Sequence, residues 1–280
     1  MSDTAVSTPR RRSLTLTVGL ILVGIHVVAA LLTLVWTPYD PSSTAGGRLE
    51  PPSWTHWAGT DRLGRDFFTH IMIGSRIALQ VGIGAVAGGA LIGVSLGLLA
   101  AFASRVLDDA LAATLDILIA FPTLLLAMLI VAASESASLG TAILALGIAM
   151  SAIVARLTRI LAKRVLAQDY IVASRTSGTS WPGVVVRHVL PNIWPTLAVN
   201  LALQFGLAII AEASLSYLGL GAPPPNASWG RLLQEAQGTV YTAPIGAIAP
   251  GIALVTLVIG INFLADGLRD VGDPARRTRR

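Results

Sequence analysis

No cysteine occurs in the chain, which excludes disulfides, thiolate metal sites and cysteine nucleophiles. Charge is scarce: Asp, Glu, Lys and Arg make up 12% of the residues, about half the share of a soluble domain. With 54% hydrophobic residues, such a chain belongs in a bilayer rather than in water. No Gly-x-x-x-x-Gly-Lys-Ser/Thr phosphate loop is present, so ATP is not bound in the P-loop manner. Gly93-Val94-Ser95-Leu96-Gly97 has the Gly-x-Ser-x-Gly spacing, but it lies inside a long apolar run rather than on a strand-to-helix turn, so it offers no nucleophile elbow. The four histidines, His26, His56, His70 and His188, lack metal-ligand spacing. His26, alone in an apolar stretch, reads as a hydrogen-bonded packing residue. The net charge of +5 is not a nucleic-acid footprint, because the basic residues are scattered over short segments between apolar runs.

What is present is a series of those runs. Crossing about 30 Å of hydrocarbon takes some 18 or more apolar residues, and six stretches qualify: 14–36, 77–101, 110–133, 139–158, 195–216 and 246–265. They are continuously apolar and do not alternate with period two, so they predict helices rather than barrel strands. The expected fold is an all-α integral membrane protein of six transmembrane helices. Residues 1–13 form a basic N-terminus, 14–36 the first span and 37–76 an external segment rich in Pro, Gly and Trp. Residues 77–268 form a five-helix core with a loop at 159–191, and 269–280 a basic tail.

Charge placement predicts the topology. With both ends in the cytoplasm, fifteen of the twenty basic residues fall inside, leaving Arg48, Arg62, Arg65, Arg76 and Arg231 outside. Arg10-Arg11-Arg12 before an apolar stretch also resembles a twin-arginine export signal. The stretch is long for a signal core, and no small-x-small cleavage site follows before Trp36, which favours an uncleaved first span.

Within the spans, Gly84 and Gly88, and Gly89, Gly93 and Gly97, recur at four-residue spacing. Such stripes let a neighbouring backbone approach closely, which predicts a packed, central second helix. The third span carries Asp116 and Pro122; the proline predicts a kink. An intramembrane acid is a functional candidate, lining a pathway or hydrogen-bonding between helices. Glu212, expected near the outer face, either lines the pathway or is hydrated at the interface.

The segment from Tyr170 to Pro191 is the most informative. Val172-Ala173-Ser174, then Gly178, then Leu190-Pro191 resembles the cytoplasmic coupling loop of bacterial ABC-importer permeases, with Val172 in place of the usual acid. Around it, in order, stand Gly59-Thr60-Asp61-x-Leu63-Gly64-Arg65-Asp66, Phe121-Pro122, Leu218-Gly219-Leu220-Gly221 with a proline run, Ser228-Trp229-Gly230, Pro250-Gly251, and Asp266-Gly267-Leu268-Arg269-Asp270 with Asp273-Pro274. The series resembles the C-type inner-membrane permease of dipeptide, oligopeptide and nickel ABC importers, from about Pro38 to Pro274.

The resemblance implies a type I ABC importer permease fold in the bacterial inner membrane and a non-catalytic role. The implied partners are a second homologous permease, two ABC ATPases that carry the ATP and magnesium, and an external substrate-binding protein. No cofactor is expected on this chain. Val172, Ala173, Ser174, Arg175, Gly178, Arg187, Leu190 and Pro191 are the expected ATPase-coupling residues, Arg175 and Arg187 pairing with acids on the ATPase. The cargo is a peptide, or alternatively nickel or a metal chelate. A remoter alternative is an ion-coupled secondary transporter using Asp116 and Glu212; it leaves the loop and the external motif without a role.

The topology is directly testable, because the native chain has no thiol. Cysteines at Ser177 and Thr278 should be shielded from an impermeant thiol reagent in intact cells, whereas those at Thr44 and Ser228 should react. Labelling of Ser177→Cys from outside would overturn the orientation.

Overall fold

The computed structural model describes residues 14–134, 137–221, 223 and 227–272. The N-terminus 1–13, the tail from Asp273 and most of the proline run, expected above as cytoplasmic ends and a motif, lie outside the described residues. The helices are α1 (Leu14–Leu32), α2 (Phe67–Phe102), α3 (Arg105–Ala120), α4 (Thr123–Ala132), α5 (Leu139–Leu166), α6 (Asp169–Thr176), α7 (Trp181–Val184), α8 (Leu190–Tyr217), α9 (Trp229–Ala236) and α10 (Ile245–Gly272). A π-helical turn, Val185–Val189, joins α7 to α8. Among the described residues the sole β pairing is an isolated bridge between Thr60 and Asp66. Five helices among the described residues are long and apolar enough to cross a membrane, and α3 with α4, bent by 90° at their junction, makes either a sixth, broken span or a re-entrant pair.

The centre of the bundle is the contact of α2 with α5. A Cβ added to Gly93 would lie 2.6 Å from the Ser151 carbonyl oxygen, and one on Gly97 2.5 Å from that of Ala155. Gly89 faces the carbonyl of Gly147 in the same way. The numbers rise together, so the two helices run parallel with their backbones in contact. Gly84 meets only the side chain of Ile143, and Gly88 has nothing within 4 Å. The two stripes therefore separate: one is a helix seam, and the other ends in open space.

A second seam joins α1 to α10, antiparallel, through Gly19, Gly260 and Gly267. His26 locks the half of this seam nearer the end of α1. Its Nδ1 lies 3.2 Å from Ser75 Oγ on α2 and its Nε2 3.0 Å from Thr256 Oγ1 on α10, while its ring meets Trp229 edge-on at 5.3 Å. Buried polar groups need such partners where no water is available. Trp229 is itself buried and donates from Nε1 to the Ile71 carbonyl at 3.0 Å.

Several boundaries differ from expectation. α2 begins at Phe67 rather than 77, because Asp66 caps it: one carboxylate oxygen accepts from the Thr69 backbone N–H at 2.8 Å and the other lies 2.9 Å from His56 Nδ1. The Gly-Thr-Asp-Arg-Leu-Gly-Arg-Asp motif forms that cap. Gly59 and Gly64 take φ of +76° and +78°, where a Cβ would lie 2.3 Å from the Glu50 and Gly46 carbonyl oxygens respectively. Asp61 Oδ1 accepts from the backbone N–H groups of Leu63 and Arg65, and Oδ2 pairs with Arg65 Nε at 2.6 Å. At Phe121-Pro122 the expected kink is a full corner. Glu212, expected at a wet interface, is 2% exposed and accepts from Ser216 Oγ at 2.6 Å. Ser228 caps α9 and is 1% exposed, so the exposed Thr44 is the informative outer probe. Thr278 lies outside the described residues.

The two glycine environments predict opposite outcomes. Overpacking a filled core costs about 1–3 kcal/mol, and backbone yields less readily than side chains. Gly93→Leu should lower the thermal midpoint of the purified chain in fluorescence-detected gel filtration, and Gly88→Leu should not. Equal midpoints would show that the seam carries no stability.

Candidate functional site

The segment singled out in the sequence folds as a small knob at the end of the bundle where α2 and α5 finish. α6 has eight residues, too few to hold a helix in isolation. Its apolar anchor is a single side chain. Ile171 is 2% exposed and sits among Ala162, Val184, Val189 and Ile193. Asp169 in the first turn and Arg175 in the last suit the helix dipole.

Gly178 ends the helix. It adopts φ of +91° with nothing within 4 Å of an added Cβ. Its N–H donates to the Arg175 carbonyl at 3.0 Å, and the Thr179 N–H donates to that of Ser174 at 3.1 Å. Those two bonds make a Schellman cap, which requires the left-handed residue glycine supplies most cheaply. Ser180 then caps α7, accepting from the Gly183 N–H at 3.4 Å.

The helix is tied to its neighbours by polar and aromatic contacts. Ser174 Oγ lies 3.1 Å from His188 Nε2, and the Tyr170 ring is 5.8 Å from that imidazole. Trp181 stands edge-on to Phe102 at the end of α2, 5.4 Å between centroids, and the Arg175 guanidinium lies 4.3 Å from its ring centre. Arg175 also donates to the Thr179 carbonyl. This guanidinium makes those two contacts within the chain and is half-buried. Arg187 is exposed.

Leu190-Pro191 does not end the loop. Trp181 to Tyr217 forms one membrane-length helix, so the loop proper spans residues 167–180 and 159–166 belong to α5. Pro191 has no N–H and its ring crowds the carbonyl four residues earlier. The π-helical turn Val185–Val189 precedes it, with the Leu190 N–H donating to Val185. That bulge absorbs the proline and directs His188 beneath α6.

Outward, α6 presents Tyr170, Val172, Ala173, Thr176 and Ser177, all exposed, with Val172 at 62%. This surface is small-featured, with the exposed Asp169 on the same face three and four residues before Val172 and Ala173, and it is rimmed by Tyr170 and Trp181. α6 is joined to α5, whose last residue is three positions before its first, and to α7–α8 through the seat of Ile171.

The other candidates lie elsewhere. Asp116 pairs with Arg156 at 3.1 Å, both exposed, which makes it an inter-helix group. Pro122 forms the exposed corner between α3 and α4, and Glu212 is enclosed at the opposite end. Sequence reasoning missed Asp108. This carboxylate is 5% exposed, receives Arg159 through Nε at 2.6 Å and Nη2 at 2.9 Å, and also meets Lys163. Its one signal was an acidic pair, Asp108-Asp109, opposite the basic run Arg156–Arg164.

The sequence profile of the family described as "Binding-protein-dependent transport system inner membrane component" matches residues 93–278. The chain is 37% identical over 262 residues to a dipeptide transport system permease protein, DppC, of Alkalihalophilus pseudofirmus, covering 93% of this chain and 86% of that one. It is 38% identical to a glutathione transport system permease protein, GsiD, of Pectobacterium atrosepticum, covering 90% and 85%. Among solved structures, a chain of the inward-facing MetNI methionine ABC transporter superposes with a TM-score of 0.63 at 20% identity, covering 74% of this chain and 98% of that one. An amino acid ABC transporter gives 0.58 at 17% identity, covering 73% and 95%. Those two likenesses establish the fold.

The cap of α6 gives a direct test. A β-branched residue in the left-handed region costs about 1–2 kcal/mol, a factor of about 5–30 in local opening. Trypsin cleavage after Arg175 should therefore accelerate by that factor in Gly178→Val, and little in Gly178→Asn, because Asn tolerates positive φ. Equal rates for the two variants would show that the cap does not hold the helix.

Proposed function

The chain belongs to the family of binding-protein-dependent transport system inner membrane components, and we propose that it is the permease subunit of an ATP-driven peptide importer. It is a multi-pass inner-membrane protein with the type I importer permease fold. In this reading it pairs with a second, homologous permease, and peptides delivered by an external binding protein pass between the two. Two ATPases dock on the α6 knob and its counterpart, and ATP and magnesium reside on them.

The observation that carries the reading is α6: an anchored, capped, surface-facing helix at the α2–α5 end of the bundle, in a chain matched nearly end to end by peptide permeases. The orientation is part of the proposal. α6, the start of α1 and the end of α10 share one end of the bundle, as the antiparallel α1–α10 seam requires. The basic residues from Arg156 to Arg187 cluster there as well. The positive-inside rule then puts that end in the cytoplasm and residues 37–66, with α9, outside. For cargo, relatives named for dipeptide and glutathione transport support a peptide over nickel or a metal chelate.

The purified chain should hydrolyse no ATP. Proteoliposomes holding both permeases and both ATPases should import labelled dipeptide when ATP is inside and loaded binding protein outside. Hydrolysis by the single chain, or import without ATPase subunits, would refute the proposal. Import of nickel with no effect of competing peptides would redirect it to the metal cargo.

A further inference from the structure

α3 is weakly held by apolar contact. Val106, Leu107, Ile117 and Leu118 are exposed, and its buried apolar attachment is Leu115 against Ala152 and Ala155 of α5. Ser104 at its start makes no side-chain cap. Two ionic contacts also reach α5: the buried Asp108 to Arg159 and Lys163, and the exposed Asp116 to Arg156. The bidentate contact of Asp108 with Arg159 fixes direction as well as distance.

Ala162 lies between the two cations that hold Asp108, and it forms part of the seat of Ile171. One turn of α5 therefore grips α3 with its charges and α6 with its apolar side. α6 begins only three residues after α5 ends.

α3 leads to the corner at Phe121-Pro122, where α4 departs at 90°. The last carbonyls of a helix have no donors inside it, and Pro122 supplies none. Broken backbone at membrane depth is tolerated only where protein covers it or where it lines a water-filled cavity. Phe121 and Pro122 are exposed on this chain, so the corner faces the path or the second permease.

We propose that Asp108 is a positioning residue: its ionic tether makes the broken helix α3–α4 follow α5, so that displacement of α6 by an ATPase moves the corner beside the path. Asp116–Arg156 is the second, weaker tie, being exposed. The inference rests on the reading of the chain as an importer permease. It adds a group outside the loop that converts hydrolysis into passage. A two-point ionic tether suits this role, since it resists separation and holds the direction in which α5 draws α3.

The test uses the complete reconstituted complex with dipeptide-loaded binding protein, reading import and ATP hydrolysis together. Import by the wild type secures the permease reading; its failure would count against that reading and not against the tether. In Asp108→Asn, hydrolysis should continue while import falls about tenfold, within the range of inter-site coupling. Lys163→Gln, which keeps the Arg159 pair, should lower the ratio in the same direction and by less. The swap Asp108→Arg with Arg159→Asp should restore most of the import lost in Asp108→Asn. A ratio unchanged from wild type, whether the two rates fall together or both hold, would overturn the tether, as would a swap without recovery. Should Asp108→Asn fail to assemble, the ratio in Lys163→Gln decides.

Discussion

The close approach of α2 and α5, backbone to backbone along Gly89, Gly93 and Gly97, is the contact on which the rest of the molecule is arranged. Lipid tails are as apolar as leucine, so helices in a bilayer gain little from burying hydrophobic surface against each other and must rely on intimate packing. Glycines opposite the carbonyls of Gly147, Ser151 and Ala155 provide it. The resulting parallel pair acts as a spine. Phe205 of α8 lies over Gly82 and Trp229 of α9 over Gly74, both on the same α2. The far end of α5 carries the grip on α3 and the seat of α6.

The two ends of that spine solve different problems. At the α2 N-terminus, a long irregular segment must satisfy its own backbone, and it does so with side chains used twice. Asp66 caps the helix and meets His56; Asp61 closes the turn and pairs with Arg65. The outcome is a rigid cover. At the opposite end α6 hangs on one buried isoleucine, one left-handed glycine, and the contacts of Trp181 and His188. Local stability drawn from so few groups is suited to an element that moves as a unit against its scaffold.

The spans were legible because continuous apolar composition has few alternatives in lipid, and the stripe Gly89-Gly93-Gly97 was legible because helix periodicity alone places it on one face. Their limits were less so. Asp66 followed by Thr69 is a cap signal, yet the Pro- and Gly-rich stretch before it carried the eye past the true start of α2. Pro191 read as a boundary because proline usually breaks helices; the π turn that accommodates it has no composition of its own. Asp108 stands more than fifty positions from both Arg159 and Lys163, and no local pattern reports a pairing at that range. Glu212 looked wet from its position near a span end. Its enclosure depends on how α8 lies against its neighbours, which is tertiary information.

The resemblance implies an acid at the position that Val172 occupies. An acid there would need a cation in reach. Arg175, a turn further on, is instead committed to the Thr179 carbonyl and the face of Trp181. With that guanidinium held inward, the outward surface is apolar at Val172 and small at Ala173 and Ser177. In the proposed coupling role, such a surface docks by shape and burial, and apolar contact transmits compression without a fixed bond direction. The directional element then lies one layer deeper, where Arg159 holds Asp108 in a two-point fork. Orientation is thereby kept inside the chain, and the contact offered to the partner is left free to rock.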